Sequence, residues 1–338
     1  MNIEIIGTGR FIPPRRVSND ELASQLDTSD EWIRSHTGIG SRHIAGEEAV
    51  CSDLALEAAK EALKMAEPEK TIEEAALSLD LIVIATATSD YYGCPSTACL
   101  VQDKLGAKNA GAFDLSAGCT GFVYALETAA GLLSVNSERK RALVIGAEIL
   151  SKFIDWDDRA SCVLFGDGAG AVVIEKREKA SDGQKRGLLQ SSLSADGSGA
   201  EHIIFKGGGS KEPFKSGETL EKAVYIQING QAVYNFAVKA ITGTVKKLLS
   251  LEGITIDQVD WIIPHQANAR IVQAAAKRLG LKEDRFFMNI ESIANTSAAS
   301  IPIALDELNR SGRLKTGDII LTVGFGGGLT FGGNIIKW

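Results

Sequence analysis

Two spacings of apolar residues alternate along the chain. Continuous apolar runs of strand length occur at Leu79–Ala87, Arg141–Ala147, Val259–Pro264 and Ile319–Val323. Such runs predict strands covered on both faces of a sheet. Ile3–Gly7 predicts an opening strand, Gly111–Leu115 a short buried one and Phe286–Met288 another. Elsewhere apolar residues recur every three to four positions, the period of a helix packed along one side. This spacing predicts helices over Glu48–Ala66, Pro95–Leu105, Phe122 to near Asn136, Gly230–Leu251, Ala267–Leu279 and a stretch ending at Leu308. Ser18-Asn19-Asp20-Glu21 and Thr28-Ser29-Asp30-Glu31 read as capped helix starts, with a hydroxyl set to accept an orphan backbone N–H.

Strands alternating with helices predict an α/β fold with parallel or mixed sheets and helices on both faces. The order of strand, helix, short strand, small-residue turn, helix and strand occurs twice, although the two halves share negligible residue identity. The organisation read from this is an N-terminal half over 1–175, a connecting segment over 176–220 and a C-terminal half over 221–338. The connection is rich in Gly, Ser, Lys and Asp, with some strand near Leu188–Leu193.

Composition acts mainly by exclusion. The 338 residues are 44% hydrophobic and 23% charged, with a formal net charge of -7 spread along the chain. This is no basic nucleic-acid footprint, and no apolar run nears the roughly 20 residues that span a bilayer. Met1–Ile6 lacks the basic and apolar regions of a signal peptide, so the cytoplasm is the expected compartment. Five cysteines at irregular spacing, none in a CxxC pair, predict free thiols rather than a zinc or redox motif. The four histidines have no ligand spacing, so metal catalysis is not expected. Gly7-Thr8-Gly9 is half a dinucleotide fingerprint, but Pro13-Pro14 blocks the helix it requires. Gly166–Gly170 lacks the Lys and the following helix of a phosphate loop.

The candidate chemistry gathers at predicted strand ends, where ligands bind in such sheets. Cys119 falls at the turn from the Gly111–Leu115 strand into a helix. Unpaired N–H groups and the positive dipole end there favour thiolate, the nucleophilic form. Gly118 and Gly121 leave room for a substrate carbonyl. His265 follows a buried strand, and Asn295 stands at a predicted helix N-cap. A Cys, a His and an Asn ending corresponding strands of two similar halves suit acyl transfer.

Several motifs then occur together. They are Asp27-Thr28-Ser29-Asp30-Glu31-Trp32-Ile33 before Thr37-Gly38-Ile39, the Cys119 turn, Phe165–Ala171, Pro264-His265-Gln266-Ala267-Asn268, Asn295–Ser300 and Phe325–Gly328. In these motifs and their order the chain resembles β-ketoacyl-acyl-carrier-protein synthase III, within the thiolase-like superfamily. The resemblance implies a five-layered αβαβα subunit, a homodimer and the initiating condensation of type II fatty acid synthesis. In that reaction Cys119 takes an acyl group from acyl-coenzyme A, malonyl-acyl-carrier protein loses carbon dioxide, and the carbanion attacks the acyl-cysteine.

The same resemblance implies a reaction that needs no metal or redox cofactor, and it implies individual roles. His265 and Asn295 donate to the enolate oxygen, and the backbone N–H groups of Cys119 and Gly327 form an oxyanion hole, with Gly327 allowing close approach. Trp32 and Arg159 hold the adenine ring, and Thr28, Asn268 and Gly230 line the path of coenzyme A. Arg270, Lys277 and Arg278 meet the acidic carrier. Two positions depart from the family pattern. His36 stands where Arg is usual, which implies a weakened or pH-dependent phosphate contact. Cys94 stands where Phe often closes the partner subunit's acyl pocket, which implies a deeper pocket and primers longer than acetyl.

Other readings are an acyltransferase or condensing enzyme of secondary metabolism and a non-catalytic acyl-coenzyme A or carrier-binding scaffold. A thiolase would need a second cysteine in the Gly326–Gly328 turn. A hydroxymethylglutaryl synthase would need a glutamate accompanying Cys119, and none is suitably placed in the sequence. A nicotinamide-dependent dehydrogenase lacks its complete fingerprint.

Overall fold

The computed structural model describes residues 2–178, 185–215, 217 and 224–338. The chain begins with β1 (Asn2–Phe11) and β2 (Arg15–Ser18), then α1 (Asn19–Ala23), α2 (Asp30–Thr37) and β3 (Ser41–Ile44). It continues through α3 (Cys51–Ala66), α4 (Ile72–Ala76), β4 (Leu81–Ala85), α5 (Thr97–Leu105) and β5 (Gly111–Leu115). Next come α6 (Gly121–Ser134), β6 (Arg141–Glu148), α7 (Arg159–Cys162) and β7 (Gly168–Arg177). The second half runs β8 (Gly187–Ala195), β9 (Ile203–Phe205), β10 (Ile226–Ile228), α8 (Gly230–Glu252), β11 (Trp261–Pro264) and α9 (Ala269–Leu279). It ends with α10 (Ile290–Ile293), α11 (Ser300–Arg310), β12 (Ile319–Gly326) and β13 (Thr330–Lys337).

Nine strands line up as β11-β12-β13-β8-β1-β7-β6-β4-β5. The seam lies between β1 and β8, which meet at a single pair, Ile3 with Gly187. Outward from the seam the first half places β1, β7, β6, β4 and β5, and the second places β8, β13, β12 and β11. Beyond β11 a lone bridge joins Ile262 to Phe286, in the place that β5 holds in the first half. Directions match as well, with β4 parallel to β6 and β11 parallel to β12. The hairpin partners β7 and β13 are antiparallel to their neighbours. The halves thus repeat in topology while sharing almost no sequence, because a buried sheet demands a pattern of apolar positions rather than particular residues.

Helices complete five layers. Helix α3 lies on β1, β7 and β6, and α8 lies on β8, β12 and β13 at the opposite face. Between the half-sheets, α6 touches β4 and β6 on one side and β12 and β13 on the other, with α11 beside it. Three large apolar cores fill the gaps: one around Leu54, Leu63 and Ile82, one around Phe122, Leu126 and Leu305, and one around Ile241, Val245 and Leu321. Each such buried side chain contributes about 1.5–3 kcal/mol. The glycines of Gly7-Thr8-Gly9 serve this packing. A Cβ at Gly7 or Gly9 would stand 2.3 Å from the Ala62 or Ala58 carbonyl of α3, so the motif lets a helix touch a strand.

Four expectations are revised. Strand β5 is the sheet edge and is half-buried, because among the described residues only β4 pairs with it. Phe286 makes its one bridge and the chain turns into α10, so Phe286–Met288 is no strand. The strand predicted at Ile319–Val323 runs on to Gly326 and turns back into β13, a strand that the apolar runs did not predict. The segment 176–220 carries β8, the first strand of the second half-sheet, together with β9. Residues 179–184, 216 and 218–220 of that segment lie outside the described residues.

Candidate active site

Cys119 sits in a single 3-10 turn, Gly118–Thr120, between β5 and α6. Two neighbouring glycines bring the β12–β13 turn against it. A Cβ on Gly118, whose φ is +53°, would lie 2.9 Å from the Gly327 nitrogen, and one on Gly326 would lie 2.6 Å from the Cys119 nitrogen. A Cβ on Gly327 itself would meet Ile203 at an ordinary 3.5 Å. The close approach expected at Gly327 is therefore a requirement at Gly118 and Gly326. Gly121 packs on Ala85 rather than facing the cavity.

His265 follows β11 and is held by its own N–H, which donates to the Val323 carbonyl at 2.7 Å. Its ring lies beside Phe325 and is almost wholly buried. Burial pushes it down to about 3, the Ser297 backbone opposing the shift, so the ring is neutral at physiological pH. Its Nδ1 has no hydrogen-bond partner among the described residues. Asn295 is clamped by backbone, its N–H donating to Leu164 and its carbonyl accepting from Gly166. Asn295 Oδ1 accepts the Ser297 N–H at 2.9 Å, which turns the amide NH2 away from that contact. Asn295 thus stands ahead of the 3-10 turn Ser297–Ala299, and α11 begins only at Ser300.

Ser297 was not singled out by its sequence. It is buried with φ +48°, a left-handed conformation costly for a residue with a Cβ. Its backbone touches His265 and Asn295, and its hydroxyl faces Cys119. Burial pushes the Cys119 thiol up to about 11, against the pull of the Ser297 hydroxyl and the Cys119 and Gly327 N–H groups. Desolvation thus outweighs the helix end, and the resting sulfur is a thiol rather than the expected thiolate. A second residue missed is Glu148, at the end of β6. It is fully buried and its charge contributes to the rise at Cys119. A glutamate does accompany the cysteine, brought there by the sheet from a distant part of the chain.

Cys119, His265, Asn295, Ser297 and Gly327 all line one cavity of about 400 Å³. Its floor is polar and its walls are apolar, built by Leu150, Ile203, Phe205, Ile228 and Val233 among others. A thiol, two neutral donors and backbone N–H groups on one apolar tunnel can hold a thioester and the charge it develops.

The profile of the family 3-oxoacyl-[acyl-carrier-protein (ACP)] synthase III matches residues 113–197, and that of its C-terminal part matches 249–338. A beta-ketoacyl-[acyl-carrier-protein] synthase III of Clostridium acetobutylicum is 46% identical over 337 residues, covering 100% of this chain and 99% of that protein. One from Caldanaerobacter subterraneus is 48% identical, covering 99% and 97%. The crystal structure of the Aquifex aeolicus 3-oxoacyl-[acyl-carrier-protein] synthase III superposes with a TM-score of 0.88 at 42% identity, covering 100% of both chains.

The chain belongs to the 3-oxoacyl-[acyl-carrier-protein] synthase III family.

As a synthase III it is an acyltransferase of the condensing type with the thiolase-like fold. The remaining candidates lie outside the polar floor. Trp32 is sandwiched, with the His36 ring stacked at 4.4 Å and the Arg159 guanidinium 4.9 Å from its centroid. His36 Nδ1 is also 2.7 Å from the Trp32 carbonyl, which commits its ring to the helix. Asn268 caps α9 and its Nδ2 donates to the His36 carbonyl at 3.0 Å, tying that cap to α2. Asn268 and Gly230 line the cavity. Thr28 stands just before α2, and its buried hydroxyl has no partner among the described residues. Arg270, Lys277 and Arg278 are exposed on α9. Cys94 is exposed and outside the synthase III cavity of its own chain. Among the described residues no helix is long and apolar enough to cross a membrane, and no cluster of His, Cys, Asp or Glu could hold a metal.

Proposed function

We propose that this chain condenses an acyl-coenzyme A primer with malonyl-acyl-carrier protein, with Cys119 carrying the acyl group and His265 and Asn295 stabilising the enolate. The observation that carries this reading is the convergence of the three side chains on one cavity floor around Ser297. The sulfur attacks the primer thioester, and the oxyanion formed lies against the Cys119 and Gly327 N–H groups. After coenzyme A leaves, malonyl carrier enters and loses carbon dioxide. Negative charge collects on its thioester oxygen, which the neutral imidazole N–H and the Asn295 NH2 meet. Donors aimed at developing charge are each worth about 2.7–4 kcal/mol. The carbanion then attacks the acyl-cysteine and gives 3-oxoacyl-carrier protein.

Coenzyme A enters along Thr28, Trp32, Arg159, Asn268 and Gly230. Adenine takes the Trp32 face now covered by Arg159, with the guanidinium closing over it. His36, spent on Trp32, contributes less to a phosphate than the usual Arg. The acidic carrier docks on Arg270, Lys277 and Arg278. The enzyme works in the cytoplasm as a homodimer. An unpaired sheet edge at β5 and the exposed side chains of Tyr91 and Tyr92, 55% and 69% accessible, support that assembly. Cys94 closes the partner's acyl pocket less fully than Phe, so longer or branched primers enter.

Carbon dioxide release from malonyl carrier, measured with a panel of primers, tests the reading. Condensation is expected in the wild type and not in Cys119→Ala. Asn295→Ala is expected to keep acylation, seen as an adduct by mass spectrometry, and to lose about 10²–10³ in decarboxylation. A wild type that acylates without decarboxylating would make the chain a transferase only. Cys94→Phe is expected to shift preference toward acetyl-coenzyme A, and unchanged relative rates would refute the deeper pocket.

A further inference from the structure

The condensation needs the Cys119 proton to leave before carbon–sulfur bond formation is complete, and the floor of the cavity holds few groups able to take it. His265 is neutral and pushed down to about 3, a weak base. Behind the cysteine lies Glu148, wholly buried at the end of β6. Its Oε2 accepts the Thr88 hydroxyl at 2.7 Å and the Thr86 hydroxyl at 3.4 Å, and the Ala87 N–H points at both oxygens from 3.2 Å. On its other side stand the Ser297 hydroxyl and the Ala298 N–H. Cys51 of α3, itself facing Asp90 and Asp114, and Cys119 are the titratable neighbours. These partners of the carboxylate are all neutral donors, a costly way to bury a charge. A purely structural tie between β6 and the Thr86–Thr88 loop could be made by an amide at lower cost.

We propose that Glu148 receives the Cys119 proton through the Ser297 hydroxyl. The inference rests on Cys119 being the nucleophile, as read above. As sulfur attacks the primer carbonyl, its S–H proton passes to Ser297 Oγ and the Ser297 proton passes to a Glu148 oxygen. When the tetrahedral intermediate collapses, the carbon–sulfur bond to coenzyme A breaks. The proton returns through Ser297 to the departing thiolate, leaving acyl-cysteine, free coenzyme A thiol and carboxylate. Ser297 holds a left-handed backbone while its N–H binds Asn295, and its hydroxyl lies between the sulfur and the carboxylate and lowers the pKa of both. Burial raises Glu148 to about 7, which places it where a general base is most useful. Glu148 acts through Ser297 and is a positioning residue for the proton rather than a group that touches substrate.

The test is single-turnover acylation by acetyl-coenzyme A, read by intact mass between pH 5.5 and 9.5. In the wild type the rate is expected to rise with pH through about 7, as the carboxylate forms. Glu148→Gln is expected to lose that limb and to acylate about 10²–10⁴-fold more slowly, and Glu148→Asp to regain part of both. Ser297→Gly keeps the backbone conformation and the N–H to Asn295 while deleting the hydroxyl, and is expected to match Glu148→Gln. If Glu148→Gln does not fold, Ser297→Gly alone decides. Wild-type rates and an unchanged pH limb in Ser297→Gly would overturn the relay while leaving Cys119 as nucleophile. A wild type that forms no adduct at Cys119 would overturn both readings, and an adduct lost only in Cys119→Ala would separate them.

Discussion

At the scale of single residues the site is governed by desolvation. Cys119 and His265 are pushed in opposite directions, and both become neutral at physiological pH. Neutrality suits His265, because a protonated ring would present charge to an apolar tunnel whenever the site was empty. It also has a stability consequence. His265 titrates near 6.5 when unfolded and near 3 when folded. Between those values the unfolded chain binds a proton that the folded chain refuses, so acidification below about 6.5 favours unfolding. The urea midpoint of the wild type is expected to fall more steeply from pH 6.5 to 4.5 than that of His265→Asn. Parallel curves would show that the ring takes up its proton in the folded state. Cysteine and histidine were each legible beside a strand end, and asparagine in its short motif, although the strand expected before it is absent among the described residues. Ser297 and Glu148 were not, since neither a lone serine in a small-residue run nor a glutamate ending an apolar strand carries a local signal.

At the scale of elements, the turns rather than the helices decide the chemistry. The 3-10 turn at Cys119 and the β12–β13 turn touch because positions 118 and 326 lack a Cβ. Gly326→Ala is expected to push the Cys119 N–H out of line and cut the acylation rate by about 10²–10³, the loss of one oxyanion donor. Gly327→Ala, with room beside Ile203, is expected to lose less than about tenfold. Equal losses in the two variants, measured by single-turnover mass spectrometry, would contradict this geometry. Strands β4, β6, β11 and β12 were readable because they are buried on both faces. The half-buried edge β5 and the glycine-broken β13 were less readable, since exposure and Gly332-Gly333 both blur a strand pattern.

At the scale of the whole molecule, the halves depend on one another for the site. Cys119 comes from the first, while His265, Asn295 and Gly327 come from the second. Helix α11, which follows the Asn295–Ser297 turn, is tied to β1 by Asp306. This fully buried carboxylate accepts from the Thr8 hydroxyl at 2.7 Å, Arg10 at 2.8 Å and Arg310 at 2.9 Å. Asp306→Ala is expected to cost about 3–5 kcal/mol in urea unfolding, because it strands a partly buried arginine. A loss below about 1 kcal/mol would mean that the tie is an ordinary surface pair.

By itself the sequence determined the alternation of strands and helices, the two-fold order of elements, the family and the three polar side chains as candidates. Each of these is written in local spacing or in short motifs. The tertiary structure decided which backbone groups meet the sulfur, that the sulfur rests as a thiol, and that a carboxylate from β6 stands behind it. Those outcomes depend on burial and on contacts between residues far apart in the chain, and a pattern read along one dimension carries neither.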